Sequence, residues 1–195
     1  MPRSFAVTWD YRCPFARNAH EAVVRALRDG ADWDVEFRAF SLDQVHVVEG
    51  EPAVWDRPPE ERGSGVLPLT WGIAVRDAFP ERFLDFHEAT FAARFDHGRK
   101  TGSEDVLAEV ASSVGLDPDL VAKEVASGTP LARLAVEHES SVRSHAVFGV
   151  PTLIVGDEAV FVRLMERGRV DDFERALDLV EWTRLNEFKR TRIPR

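Results

Sequence analysis

Ser4-Phe5-Ala6-Val7-Thr8-Trp9-Asp10-Tyr11-Arg12-Cys13-Pro14-Phe15 is the stretch that decides how the rest of the chain is read. Its first seven residues alternate apolar and polar types rich in β-branched and aromatic side chains, which predicts a strand. After Cys13 the period changes. Ala19, Ala22, Val23, Ala26 and Leu27 fall on one helical face until Asp29-Gly30 ends it. Proline suits the first helical turn, where its missing N–H would have had no partner. Asp32 to Leu42 then reads as a second strand, so the chain opens strand, turn with cysteine, helix, strand: a βαβ unit.

Outward from that unit, Gly50 to Gly65 has no period and is dense in proline and glycine, which predicts an irregular, mobile loop. Helical patterns follow at Leu69 to Phe79, Glu81 to Phe95, Glu104 to Val114, Pro118 to Ala126, and Pro130 to about Ala146. In Asp117-Pro118 and Thr129-Pro130 a capping side chain precedes a proline at the first helical position. Phe148 to Gly156 is β-rich, Gly156-Asp157 predicts a hairpin turn, and Glu158 to Arg163 predicts its return strand. Asp171 to about Arg190 closes the chain as a helix, with Phe173, Ala176, Leu177 and Val180 on its buried face.

Composition excludes several classes. The 195 residues carry 25 basic and 34 acidic side chains, a net charge of −9, with 44% hydrophobic residues, which predicts a soluble globular chain able to bury a core. Nucleic-acid binding needs a basic face and is not expected. Residues Met1 to Asp10 hold no apolar run of signal-peptide length and no stretch suits a membrane span, so a cytoplasmic protein without a membrane partner is expected. Cys13 is the only cysteine, which rules out an internal disulfide. His20-Glu21 and His138-Glu139 begin H-E-x-x-H but reach Val24 and Val142 at the fifth position, so no metal site is expected. No nucleotide-binding glycine motif is present. The tail from Arg184 has five basic residues against one acid, as the helix dipole alone favours.

The order βαβ, helices, ββα, with Asp10-Tyr11-Arg12-Cys13-Pro14-Phe15 at the first helix and Phe148-Gly149-Val150-Pro151-Thr152 opening the third strand, resembles the DsbA-like branch of the thioredoxin superfamily. That branch includes thiol oxidants, hydroxychromene-carboxylate isomerases and kappa-class glutathione transferases. The resemblance implies an α/β thioredoxin-like fold with a large all-helical insertion. Residues 1–195 would form one DsbA-like domain, its thioredoxin core at 1–48 and 147–195 and its insertion at about 65–146. It implies that Cys13 is the catalytic nucleophile and that the Val150-Pro151 peptide is cis. It further implies that Arg12, Pro14, Phe15, Val150, Pro151 and Thr152 bind the substrate, with the Val150 backbone free to pair with an extended segment.

Independently, a thiol at a helix N-terminus faces unpaired N–H groups that favour thiolate, so a lowered pKa is expected, with Arg12 and Arg17 adding to the effect and Asp10 opposing it. The departure from the oxidants is Cys13-Pro14-Phe15-Ala16, which has alanine where a C-x-x-C pair has its second thiol. Chemistry must therefore pass through a mixed disulfide with an external thiol, or through thiol activation without net redox. The expected activity is that of a monothiol, thiol-dependent oxidoreductase on small-molecule or protein-thiol substrates. No cofactor is expected to be tightly bound, and a low-molecular-weight thiol is the candidate cosubstrate. The alternatives are a thiol-dependent isomerase or transferase and a non-catalytic binding module. An apolar cleft walled by Phe15, Trp55 and Trp71 is a further candidate, set against the reading of these aromatics as core.

Overall fold

The computed structural model of the protein describes residues 2–187. Strands β1 (Arg3–Trp9) and β2 (Trp33–Ala39) pair in parallel, Phe5 opposite Val35 and Val7 opposite Phe37, joined by helix α1 (Pro14–Arg28). Strands β3 (Thr152–Val155) and β4 (Glu158–Phe161) form an antiparallel hairpin, and β3 runs antiparallel to β1. The sheet order is β2-β1-β3-β4. β1 is central, and its residues from Phe5 to Trp9 are all buried, so the expected apolar–polar alternation does not become a solvent-facing side, because the strand is covered on both faces.

α1 lies on this sheet through Ala16, Ala19, His20, Ala22, Val23 and Ala26, a face of mostly small side chains that allows close approach. Between β2 and β3 run a short helix α2 (Leu42–Val45) and the helices α3 (Val66–Ala78), α4 (Pro80–Phe95), α5 (Glu104–Ser113), α6 (Pro118–Ala126) and α7 (Thr129–His145). α3 is buried almost all round, from Pro68 to Val75, which makes it the core of the helical segment. Helix α8 (Val170–Val180) returns to the sheet, where Phe173 packs against Phe5 and Trp33 with ring centroids 5.6 and 5.7 Å apart.

Four expectations from sequence change. The last helix stops at Val180 because its apolar period ends there and Thr183 and Arg184 offer nothing to bury, and residues 181–187 are not helical; the end of the expected span, 188–190, lies outside the described residues, as does most of the basic tail. β3 begins at Thr152 because Phe148 to Pro151 form a turn around the cis Val150–Pro151 bond. The cap of α7 is Gly128, at φ 80°, and Thr129 is already the first helical residue; the left-handed backbone there suits glycine. The 50–65 loop is tied down, since Val54 N–H donates to Gln44 Oε1 (2.8 Å) and Gly65 N–H donates to Asp43 Oδ2 (2.9 Å).

Candidate functional site

The turn from Asp10 to Cys13 delivers Cys13 to the N-cap of α1, with extended backbone at φ −94° and ψ 118°. In that position its sulfur accepts the N–H of Ala16 at 3.4 Å, satisfying one of the donors that every helix start leaves free. The cis-Pro loop closes on it from the other side. The Cys13 thiol donates to the Val150 carbonyl at 3.2 Å, joining residues 137 positions apart, and Cys13 is 8% exposed. Pro14 is exposed and Phe15 half-buried beside it.

That enclosure reverses the expected titration. Burial pushes the Cys13 thiol up, the N–H groups of Ala16 and Phe15 pull it down, the Asp10 charge adds to the rise and Arg163 opposes it; the net direction is upward. The two arginines expected to activate the thiol are engaged elsewhere. Arg12 binds Asp43 at 2.6 Å and lies 3.6 Å from Asp10, while Arg17 binds Asp96 at 3.0 Å. Asp10 is fully buried and accepts the N–H groups of Arg12 and Leu42, both at 2.8 Å. Its own pKa is raised by burial, against the pull of Arg12. Asp10 and Arg12 therefore brace the turn.

Thr152 is also internal. Its N–H donates to Thr8 Oγ1 (2.9 Å) and its hydroxyl to the Gly149 carbonyl (2.8 Å), so both donors hold the loop in shape. Trp71 is buried in the helical core, Trp55 packs on His138, and only Phe15 of the three candidate cleft aromatics stands beside the thiol. His46 ends α2 and His145 meets the Gly156 carbonyl at 3.3 Å; neither bonds to Cys13. Two concavities of about 460 and 630 Å³ open between α1 and α4 around Arg28 and Glu88, about four helical turns along α1 from Cys13.

Two groupings lie outside what the sequence suggested. The first is a fully buried chain: Tyr11 Oη to His87 Nδ1 at 2.8 Å, His87 Nε2 to His20 Nδ1 at 2.9 Å, and His20 Nε2 to the Thr8 carbonyl at 3.1 Å. The carbonyl only accepts, so His20 donates to it through Nε2, His87 donates to His20, and Tyr11 donates to His87; with both rings neutral every proton is placed. Burial agrees, lowering His20 to about 4 and His87 well below its ordinary value. The second is Arg163, whose guanidinium sits 5.3 Å from the Phe15 ring centroid and 5.4 Å from that of Phe161. No sequence period marks it, because its partners come from α1 and β4 together.

A family model described as a DSBA-like thioredoxin domain matches residues 78–178, just over half of the chain, including the cis-Pro loop. The chain belongs to this family. Among solved structures, this DSBA-like chain is similar to the cytosolic disulfide reductase DsbM from Pseudomonas aeruginosa with GSH, at 18% identity and TM-score 0.64 over 93% of this chain and 100% of that one. It is similar to Pseudomonas aeruginosa DsbA, at 17% identity and TM-score 0.61 over 93% and 83%. The 2-hydroxychromene-2-carboxylate isomerase matches at 16% identity and TM-score 0.64 over 93% and 97%. At these identities the likeness is one of fold. No curated protein matches the chain. Among the described residues of this DSBA-like chain, no helix is long and apolar enough to cross a membrane.

Proposed function

We propose that this protein is a monothiol, thiol-dependent oxidoreductase in which Cys13 is the nucleophile and the Val150–Pro151 loop docks the substrate. The observation that carries the reading is the meeting of the Cys13 sulfur with the Val150 carbonyl at the start of α1, with Ala16 bonded back to the same sulfur where a second thiol would stand. Cys13 attacks one sulfur of a disulfide R–S–S–R, forming Cys13–S–S–R and releasing R–S⁻, which takes up the proton lost by Cys13. With no second cysteine in the chain, an external thiol then attacks the mixed disulfide and restores Cys13.

The hydrogen bond to Val150 ties docking to reactivity. An extended substrate segment pairing with Val150 competes for the carbonyl that the thiol uses, and loss of that bond removes support for the neutral form. Pro14 and Phe15 border the approach, whereas Arg12 and Thr152 support the site from within. The cosubstrate is a low-molecular-weight thiol, the partners are small-molecule or protein thiols, and the compartment is the cytoplasm.

The raised thiol favours one second reading. A cysteine that stays protonated and donates through S–H can hold a cosubstrate thiolate without exchanging electrons, as in a thiol-dependent isomerase or transferase. Intact mass after exposure to small disulfides separates the two, with Cys13→Ser as control: a mixed disulfide at Cys13 is the expected product, and binding of a small thiol without an adduct would favour the second reading. Ala16→Cys should give the pre-oxidised protein the ability to oxidise a dithiol peptide without added thiol. If wild type did so equally well, the monothiol mechanism would be abandoned.

A further inference from the structure

The arginines around the start of α1 and in the segment after β4 differ in what they face. Arg12 binds Asp43, Arg17 binds Asp96, Arg167 binds Glu21 at 2.6 Å and Asp96 at 2.9 Å, and Arg169 binds Asp171 at 3.0 Å. Arg163 is exposed, and no carboxylate of the described residues pairs with it. Its guanidinium lies over both the Phe15 and the Phe161 ring. Such stacking occupies the face of a guanidinium and leaves its N–H edge able to donate.

The backbone on both sides of Arg163 is fixed to the site. The N–H of Val162 donates to the Pro151 carbonyl at 3.0 Å, tying one neighbour to the cis-Pro loop. The carbonyl of Leu164 accepts from Asn18 Nδ2 at 2.8 Å, tying the other to α1, the helix that starts at Cys13. Arg163 is therefore suspended between the two elements that enclose the thiol. Phe148, 66% exposed, lies 5.1 Å from the Phe161 ring and extends the same face. Gly149 permits this packing, because a Cβ there would stand 3.2 Å from Phe161.

We propose that Arg163, held over Phe15 and Phe161, is an anion subsite that selects carboxylate-bearing small disulfides and thiols for reaction at Cys13. The inference rests on the reading of Cys13 as the nucleophile. Charge supports it: in a chain of net charge −9, an anionic reactant is repelled in general and needs a local cation at the point of reaction. Attraction at this exposed site steers and orients the reactant, with the carboxylate on the guanidinium edge and the sulfur toward Cys13. The step is the exchange already described: Cys13–SH and R–S–S–R give Cys13–S–S–R and R–SH, so no further oxidant enters.

The test measures the rate of adduct formation at Cys13 by intact mass with three disulfides: that of 3-mercaptopropionate, which carries two carboxylates, the neutral bis(2-hydroxyethyl) disulfide, and cystamine, which carries two ammonium groups. Each protein's rate with the neutral disulfide is its own reference, which cancels any change in the reactivity of the thiol itself. Arg163→Gln should lower the relative rate of the dicarboxylate by about fivefold, the size expected of an exposed charge pair, and raise that of cystamine. Salt should shrink the wild-type preference. Adducts that form with all three disulfides in ratios unchanged by Arg163→Gln would overturn the subsite and leave the Cys13 reading standing. Failure of all three to modify wild-type Cys13 would remove that reading, and the subsite with it.

Discussion

Tyr11 and Phe15 stand two residues to either side of Cys13 and lead into opposite kinds of environment. Tyr11 points into the core and begins a chain through His87 and His20 to Thr8 in which each proton has one assigned place. Phe15 stays half-buried and helps carry a cation that no described carboxylate matches. The sealed side can be changed only at the expense of the fold, because a buried polar group left without a partner costs far more than a made hydrogen bond returns. The open side can be changed with little effect on stability, and that is where the proposed selection among reactants would act.

The largest effect expected in the interior, from the sealed side and from His138 buried against Phe40, is acid destabilisation. His20 and His138 are held at about 4, and His87 well below its ordinary value, all by burial first. The unfolded chain takes up protons below about pH 6.5 that the folded protein refuses, so stability falls as pH drops from there toward 4, by at most ~3 kcal/mol for each histidine. Asp10, whose pKa is raised, works in the opposite direction. The midpoint of urea unfolding should therefore decline steeply between neutral pH and pH 4.5. A flat profile would mean that the histidines are solvated.

Next in size is Asp10→Ala, which strips two backbone N–H groups of their acceptor and Arg12 of a buried partner; a loss of about 3 to 5 kcal/mol in urea unfolding is expected. Tyr11→Phe leaves His87 Nδ1 without its donor and should cost about 2 kcal/mol, while adduct formation at Cys13 stays within about twofold of wild type if the two sides are independent. A large change in reactivity would show that they are coupled. Smaller again is the titration of the thiol. Alkylation of Cys13 against pH should show a midpoint above that of an ordinary cysteine, and Arg163→Gln should move it further up, because a cation that favours thiolate is removed. The smallest effect should be that of Arg163→Gln on stability, within ~0.5 kcal/mol in urea unfolding, as for surface substitutions generally.

The first βαβ unit is legible because its signals are local: β-branched and aromatic types in Ser4 to Asp10, Pro14 at the helix start, alanines at helical spacing. The meeting of Cys13 with the Val150-Pro151 loop was accessible through resemblance, since nothing in either segment specifies the other. The titration of Cys13 departs from the sequence expectation for the same reason. A helix start is visible in sequence, whereas the loop that covers the thiol arrives from 137 residues away. Likewise the pairing of His20 with His87 depends on α1 lying against α4, and the placing of Arg163 depends on rings from two separate elements. Thr129 looks like a cap in sequence because it precedes proline, but Gly128 reaches a left-handed backbone more easily and takes the position.

Gly72, in the middle of α3, has a consequence for building with this fold. A Cβ at that position would stand 2.6 Å from the Tyr11 hydroxyl and 3.0 Å from its ring. Alanine would favour the helix by about 1 kcal/mol, yet the tyrosine occupies its space, so α3 meets the turn that leads into Cys13 with bare backbone. The helical segment is therefore not a portable part. A segment grafted from a relative with any side chain at this place would ride outward on Tyr11 and displace the turn that holds Cys13. Exchange of helical segments between such chains should succeed only when positions 11 and 72 travel together.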